Sequence, residues 1–258
     1  VCRQKTADLI NSKGTEVRIK LRGEDTHRSF FSMSLGGRTN AVTPEQAQPQ
    51  EYDLICLAMQ EPQYSHPSLR DLLSRVAKAK VACMSIMNMP PLPYLKRISS
   101  LDCTKLTEAF LNPEIWSEFD PGLMTLCSPD PQAYRPPEED PNVLHVGLPT
   151  NFKVSKFNNP ELDSMLENIA ADIDAFRVAG KDVPVKLRVF DSLFVPFAKW
   201  AMLATGNYRC ITHTGPRSIQ SSVHSNLAKS ESIYDFVNNL VVTLGADHSD
   251  MVPFAKYS

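Results

Sequence analysis

Glu51–Pro91, EYDLICLAMQEPQYSHPSLRDLLSRVAKAKVACMSIMNMPP, is the stretch whose reading decides the fold. Tyr52 to Met59 is a nearly unbroken apolar run, the pattern of a parallel strand buried on both faces. Pro62 and Pro67 break it, and Ser65 or His66 can cap a helix. Leu69, Leu72, Leu73, Val76 and Ala77 then recur at helical spacing. Val81 to Met87 is a second apolar strand, stopped by Asn88-Met89-Pro90-Pro91. Strand, helix, strand in that order predicts a βαβ unit with parallel strands. Ligands of open α/β sheets sit beyond the carboxyl ends of the strands, which puts Met59, Gln60, Glu61 and Asn88 at the predicted site.

Upstream, Val1-Cys2-Arg3 reads as the tail of a strand, and Lys5 to Ser12 as a short helix closed by Gly14. Thr15 to Leu21 alternates Val17, Ile19 and Leu21 with charged residues, as a half-exposed strand does. Phe30 to Leu35 reads as another strand, followed by a turn at Gly36-Gly37. Downstream, Pro93 to Asp120 mixes weak helix signals with breaks. The stretch Gly122 to Asn142, dense in proline, reads as an extended surface segment. Asn142 to Pro149 is a predicted strand. Pro160 opens a predicted helix whose stripe runs Leu162, Met165, Leu166, Ile169, Ala170, Ile173 and Phe176, with Gly180 ending it. Asp191 opens a second, DSLFVPFAKWAMLATG, apolar on nearly all sides. Ser230 opens a third, with Ile233, Phe236, Val237, Leu240, Val241 and Leu244 inward. The expected fold is α/β: an incomplete Rossmann-type dinucleotide-binding domain over residues 1–184, then the start of an all-α helical domain over 185–258.

The 258 residues are 42% hydrophobic and 22% charged, ordinary for a globular protein. A net charge of −2 and a pI near 6.3 offer no global field for nucleic acid or an anionic membrane. No apolar run approaches the ~18 residues of a membrane span. Six cysteines without C-x-x-C spacing point to a reduced, cytoplasmic protein with no disulfide framework. The first residue is valine, so the chain reads as part of a longer one. The six histidines lack metal-ligand spacing, and there is no Walker loop, G-x-S-x-G or H-E-x-x-H.

Lys199 is the most informative side chain. Its helical neighbours Val195, Met202 and Leu203 are apolar, so its ammonium either snorkels to an edge or is desolvated with a lowered pKa. The second state suits a general acid near neutral pH. Asn207, eight residues on, lies roughly 80° around the same predicted helix, within reach of one cleft, or else serves as a C-terminal cap. Arg3 and Lys5 follow a strand end, where basic residues accommodate the 2′-phosphate of NADP, or are solvated surface charges. Gln60 and Asn88 can hold ribose or nicotinamide, or serve turn chemistry.

The order of motifs resembles the ketopantoate reductases (2-dehydropantoate 2-reductases), whose second domain belongs with the 6-phosphogluconate dehydrogenase-like C-terminal domains. VCRQ is similar to the end of the family's second strand, whose arginine grips the 2′-phosphate, here Arg3. YDLICLAMQ is similar to the strand ending in a cofactor-contacting lysine, where this chain has Gln60. SIMNMPP resembles the strand ending in asparagine, here Asn88, and NVLHVGLPTNF a later strand. FAKWAMLATGN resembles the helix with the catalytic lysine, here Lys199, and a later asparagine, here Asn207. Leu203 stands where the family has its first asparagine, and the glycine-rich loop that precedes the second strand is not in this sequence. The resemblance implies NADP as cofactor, a small 2-keto acid as substrate, Lys199 as general acid, and a monomer or homodimer alike. An opine-type dehydrogenase is the second enzyme expectation and would need a histidine–aspartate pair among His213, His224 and His248. A dinucleotide-binding or dimerisation protein that kept the fold without the chemistry is the third.

Overall fold

The computed structural model describes the chain except residues 21–22, 130–131, 149–150 and 179, and the side chains of 129, 132 and 148. The end of the predicted strand at Leu21, and Pro149 after the later one, therefore lie outside the described residues.

The chain opens not with a strand but with Cys2 N–H donating to Val42 O (2.9 Å) and an extended Arg3 as N-cap of α1 (Gln4–Lys13). Gly14 ends α1 with φ at 73°, a conformation natural to glycine. Strands β1 (Glu16–Ile19) and β2 (Arg28–Phe31) form an antiparallel pair.

The predicted unit follows: β3 (Leu54–Leu57), α2 (Pro67–Ala79) and β4 (Ala82–Ser85). The strands are parallel, with Leu54 opposite Ala82 and Leu57 opposite Ser85. α2 buries Leu73 and Val76, with Leu72 and Ala77 against the same core. β4 is buried along its whole length, as its composition demands. β3 departs from expectation: it is the last strand of its sheet, and Cys56 is exposed on it.

A short helix α3 (Leu92–Leu95) and three 3₁₀ segments lead to β5 (Met124–Pro129), which lies beside β4 in the centre of the sheet. Proline density hid this strand. Its core, Met124 to Cys127, is buried, and the prolines fall outside that run. After β6 (Gln132–Tyr134) comes β7 (Val143–Leu148), parallel to β1, and the order β2-β1-β7-β6 makes a small four-stranded sheet. β8 (Phe152–Ser155) returns to the main sheet. α4 (Pro160–Ala175) is capped by Asn159, whose side chain accepts from Glu161 N and Leu162 N. Gly180 does not end this helix; it turns a two-residue hairpin of β9 (Arg177–Val178) and β10 (Lys181–Asp182). β11 (Leu187–Phe190) completes a five-stranded sheet of order β11-β8-β5-β4-β3, mixed because β8 runs antiparallel to β5. One core packs α2, α3 and the later helices on this sheet; a second lies under α4, around Val154, Leu166 and Leu187.

The remaining chain is helical. Asp191 is not a cap: it is exposed and pairs with Lys156, and α5 covers only Ala198–Thr205, after a 3₁₀ turn at Val195–Phe197. A small hairpin, β12 (Ile211–Thr212) and β13 (Gly215–Pro216), precedes α6 (Ile219–His224). α7 runs Leu227–Thr243 from an Asn226 cap, so Ser230 lies inside it, its hydroxyl donating to Val223 O (2.7 Å). Its buried side is Ser230, Tyr234 and Val241, while Phe236 and Leu240, predicted inward, are exposed. α8 (Phe254–Tyr257) packs on Tyr234.

Candidate functional site

The carboxyl edge of β3 and β4 is a set of tight turns. Beyond β3, Met59 N–H donates to Tyr64 Oη (3.1 Å) and Gln60 N–H donates to Gln63 Oε1 (2.9 Å), so both residues start a 3₁₀ turn. Burial pushes the Tyr64 phenol up to about 12. Gln60 is exposed on this turn. Glu61 is buried, and both carboxylate oxygens lie 3.3 Å from Leu111 N, tying the chain just beyond the 3₁₀ segment Cys103–Ala109 to the end of β3.

Beyond β4 the chain stays paired for one more residue, Ile86 N–H donating to Leu57 O (2.8 Å). Among the described residues Ser85 Oγ and Asn88 Oδ1 have no hydrogen-bond partner here, and both atoms are buried. Buried polar atoms are nearly always paired, so unpartnered ones at a strand's carboxyl end invite a ligand's donor.

α5 reaches this edge. Trp200 Nε1–H donates to Asn88 O (2.9 Å) across 112 residues of chain. The Trp200 ring meets Phe197 edge-on, centroids 4.6 Å apart. Upstream, the helix approach is fixed to the sheet: Tyr94 Oη donates to Leu193 O (2.7 Å), and Ser155 Oγ donates to Ser192 O (2.9 Å). Lys199, one residue before Trp200, is half-buried, between buried Val195 and Leu203 as its spacing predicted. Trp200 was not singled out in the sequence. A tryptophan within an apolar helix, whose N–H must find a partner, was the available signal.

Asn207 is not on that helix. α5 stops at Thr205, and Gly206 diverts the chain into a 3₁₀ turn where Asn207 is exposed, so the 80° relation to Lys199 does not hold. Arg3 and Lys5 are exposed at the start of α1, whose first turn has no acidic residue. A helix start of that charge fits a phosphate. Among the described residues, no hydrogen bond or ion pair joins Arg3 or Lys5 to Gln60 or Asn88. The Trp200 bond joins Asn88 to the helix of Lys199. His213, His224 and His248 are exposed, and none forms an ion pair with an aspartate among the described residues.

A cleft of about 480 Å³ opens elsewhere, over the small sheet, lined by Lys13, Glu16, Arg18, Phe31, Glu139 and Asn142 among others. Its cations are matched, Arg18 by Glu16 and Glu139 and Lys13 by Asp140, so it has no positive field for phosphates. His145 lies beside Arg18, with rings of His27 and Tyr134 at 5.6 and 5.4 Å, a structural setting. Among the described residues no cluster could hold a metal ion, and no helix is long and apolar enough to cross a membrane.

No protein-family model matches the chain, and no curated protein does. Solved structures do. The chain is similar to a probable 2-dehydropantoate 2-reductase of Bacillus subtilis, with 12% identity, 96% of this chain and 75% of the other covered, and a TM-score of 0.50. It is also similar to a dimeric ketopantoate reductase of Staphylococcus aureus, with 7% identity, 91% and 70% covered, and a TM-score of 0.52. At such identities the likeness is one of fold. The chain has the ketopantoate reductase fold, a Rossmann-like sheet followed by helices, as its motif order implied.

Proposed function

We propose that this protein is a nicotinamide-dinucleotide-dependent reductase of a small 2-keto acid. The observation that supports it most is the hydrogen bond from Trp200 to Asn88 O, which holds the lysine-bearing helix against the strand edge where such folds take their ligands. The unpartnered Ser85 Oγ and Asn88 Oδ1 suit a carboxamide or ribose hydroxyl. Arg3 and Lys5 favour NADP over NAD, since a 2′-phosphate needs cations. In this reading residues 1–184, together with the strand that follows, make the nucleotide-binding part, and the later helices contribute to the substrate side.

NADPH supplies the hydride when bound. Lys199 acts as general acid, giving a proton to the substrate oxygen as negative charge grows on it. A cation there favours the transition state over the ground state, which is what acceleration requires. Asn88 orients the bound partner through its amide. A second reading, a dinucleotide-binding protein without turnover, draws on Gln60 placed in a turn and Asn207 off the helix.

Quenching of NADPH fluorescence, followed by turnover over a panel of 2-keto acids, separates the two. The reductase reading expects both, with Lys199→Ala cutting kcat by ~10²–10⁴ while binding persists, as for loss of a general acid. Binding without any turnover supports the second reading, and turnover that survives Lys199→Ala refutes the role of the lysine.

A further inference from the structure

The turn after β4 is short of bonds of its own. Asn88-Met89-Pro90-Pro91 follows the strand, and a proline has no N–H to give. Among the described residues no backbone–backbone hydrogen bond holds Asn88 or Met89. Nor does the Asn88 carboxamide anchor its residue, since its Oδ1 is buried without a partner. The bond that does reach Asn88 comes from α5: the Trp200 indole N–H donates to Asn88 O (2.9 Å). An indole nitrogen is a donor only, so this bond has one possible sense.

Trp200 is itself firmly seated. Its ring meets Phe197 at 80° with centroids 4.6 Å apart, and Phe197 is 2% exposed. The Phe197 ring in turn lies 6.0 Å from that of Tyr94, which is fully buried on α3. Tyr94 Oη stands 2.7 Å from Leu193 O and 2.9 Å from Ser155 Oγ, at the end of β8. The indole therefore reaches the turn from a stack of rings that is hydrogen-bonded to the main sheet. A contact residue keeps its geometry when packed and hydrogen-bonded neighbours lock it in this way.

We propose that Trp200 is a positioning residue for nucleotide binding: its N–H holds the Asn88 backbone so that the Asn88 carboxamide is presented to the nicotinamide dinucleotide. This rests on the nucleotide-binding reading given above, in which Asn88 touches the cofactor, and it does not require turnover. Trp200 touches no reacting atom in this role. It acts through Asn88, and its worth to binding exists only while the carboxamide is there to be placed.

The test is a double-variant cycle on NADPH affinity, read on the chain through the emission of the nucleotide, which the loss of a tryptophan leaves undisturbed. Trp200→Phe keeps an aromatic ring and removes the donor. Asn88→Ala removes the carboxamide and keeps the backbone O that Trp200 holds. Trp200→Phe alone should weaken binding ~2–10-fold, the scale of one neutral hydrogen bond. In the Asn88→Ala background the same change should weaken it no further, because pairs that act as one unit are not additive. A benzothiophene analogue of tryptophan at position 200 keeps the fused ring without the N–H, and should lose as much affinity as Trp200→Phe. Equal losses from Trp200→Phe in both backgrounds mark general loosening of the fold and overturn the proposal, as does full affinity in the benzothiophene chain. A parent chain that binds no NADPH overturns the nucleotide-binding reading and the role of Trp200 together, whereas additive losses in a parent that binds overturn the role of Trp200 alone.

Discussion

Trp200→Phe tests how firmly α5 is held to the edge of the sheet. The change removes one donor and part of one ring. The lost bond, Nε1–H to Asn88 O at 2.9 Å, contributes about 0.5–1.5 kcal/mol net. The edge-on contact with Phe197 at 4.6 Å survives in kind, since a phenyl ring can still point its edge there. Trp200 is only half-buried, so the smaller ring forfeits little more than part of its contact area. The sum is about 1.5 kcal/mol, or ~3–6 °C in the unfolding midpoint of a chain this size. The chain has two tryptophans, so the variant leaves Trp116 as sole emitter and its melt can be followed by fluorescence and by circular dichroism together. A midpoint within ~1 °C of the parent would refute the reasoning, because a bond worth that little does not fix a helix.

Two other outcomes follow from the geometry. Burial raises the folded-state Tyr64 phenol from its ordinary value to about 12, so the folded chain holds that proton more tightly than the unfolded one. Its contribution is complete below pH ~10 and disappears as pH rises through ~12, a loss of order 2–3 kcal/mol that Tyr64→Phe should abolish in alkaline denaturation profiles. Asn159→Ala removes the cap on Glu161 N and Leu162 N and should cost about 1 kcal/mol, read from the shift in urea midpoint at unchanged m-value.

The central βαβ unit was legible because its two periods are distinct: continuous apolar runs for β3 and β4, and a helical stripe in α2 that ends on Leu73 and Val76. What escaped was short or non-local. β8 (Phe152–Ser155) and β11 (Leu187–Phe190) are four residues each, too brief for alternation to stand out. β5 was masked by flanking prolines. The α7 stripe was read correctly as apolar, but Phe236 and Leu240 remain exposed, and periodicity alone does not say which side of a helix its neighbours cover. Of the site, Lys199 in an apolar helix and Asn88 at a strand end were both readable. The bond that ties their two elements together was not, because it joins Trp200 to Asn88 O across 112 positions. Asn207 was misplaced because a single glycine, Gly206, ended the helix early.

The position of β3 has a practical corollary. Among the described residues one side of this apolar strand's backbone ladder is unpaired, and no lysine or proline within Leu54–Leu57 blunts it. Such a rim can be extended by the same rim of another molecule, with Cys56 brought toward its twin. Concentrated stocks should therefore lose material by collision of intact molecules, at a rate that climbs with the square of concentration, long before any single molecule melts.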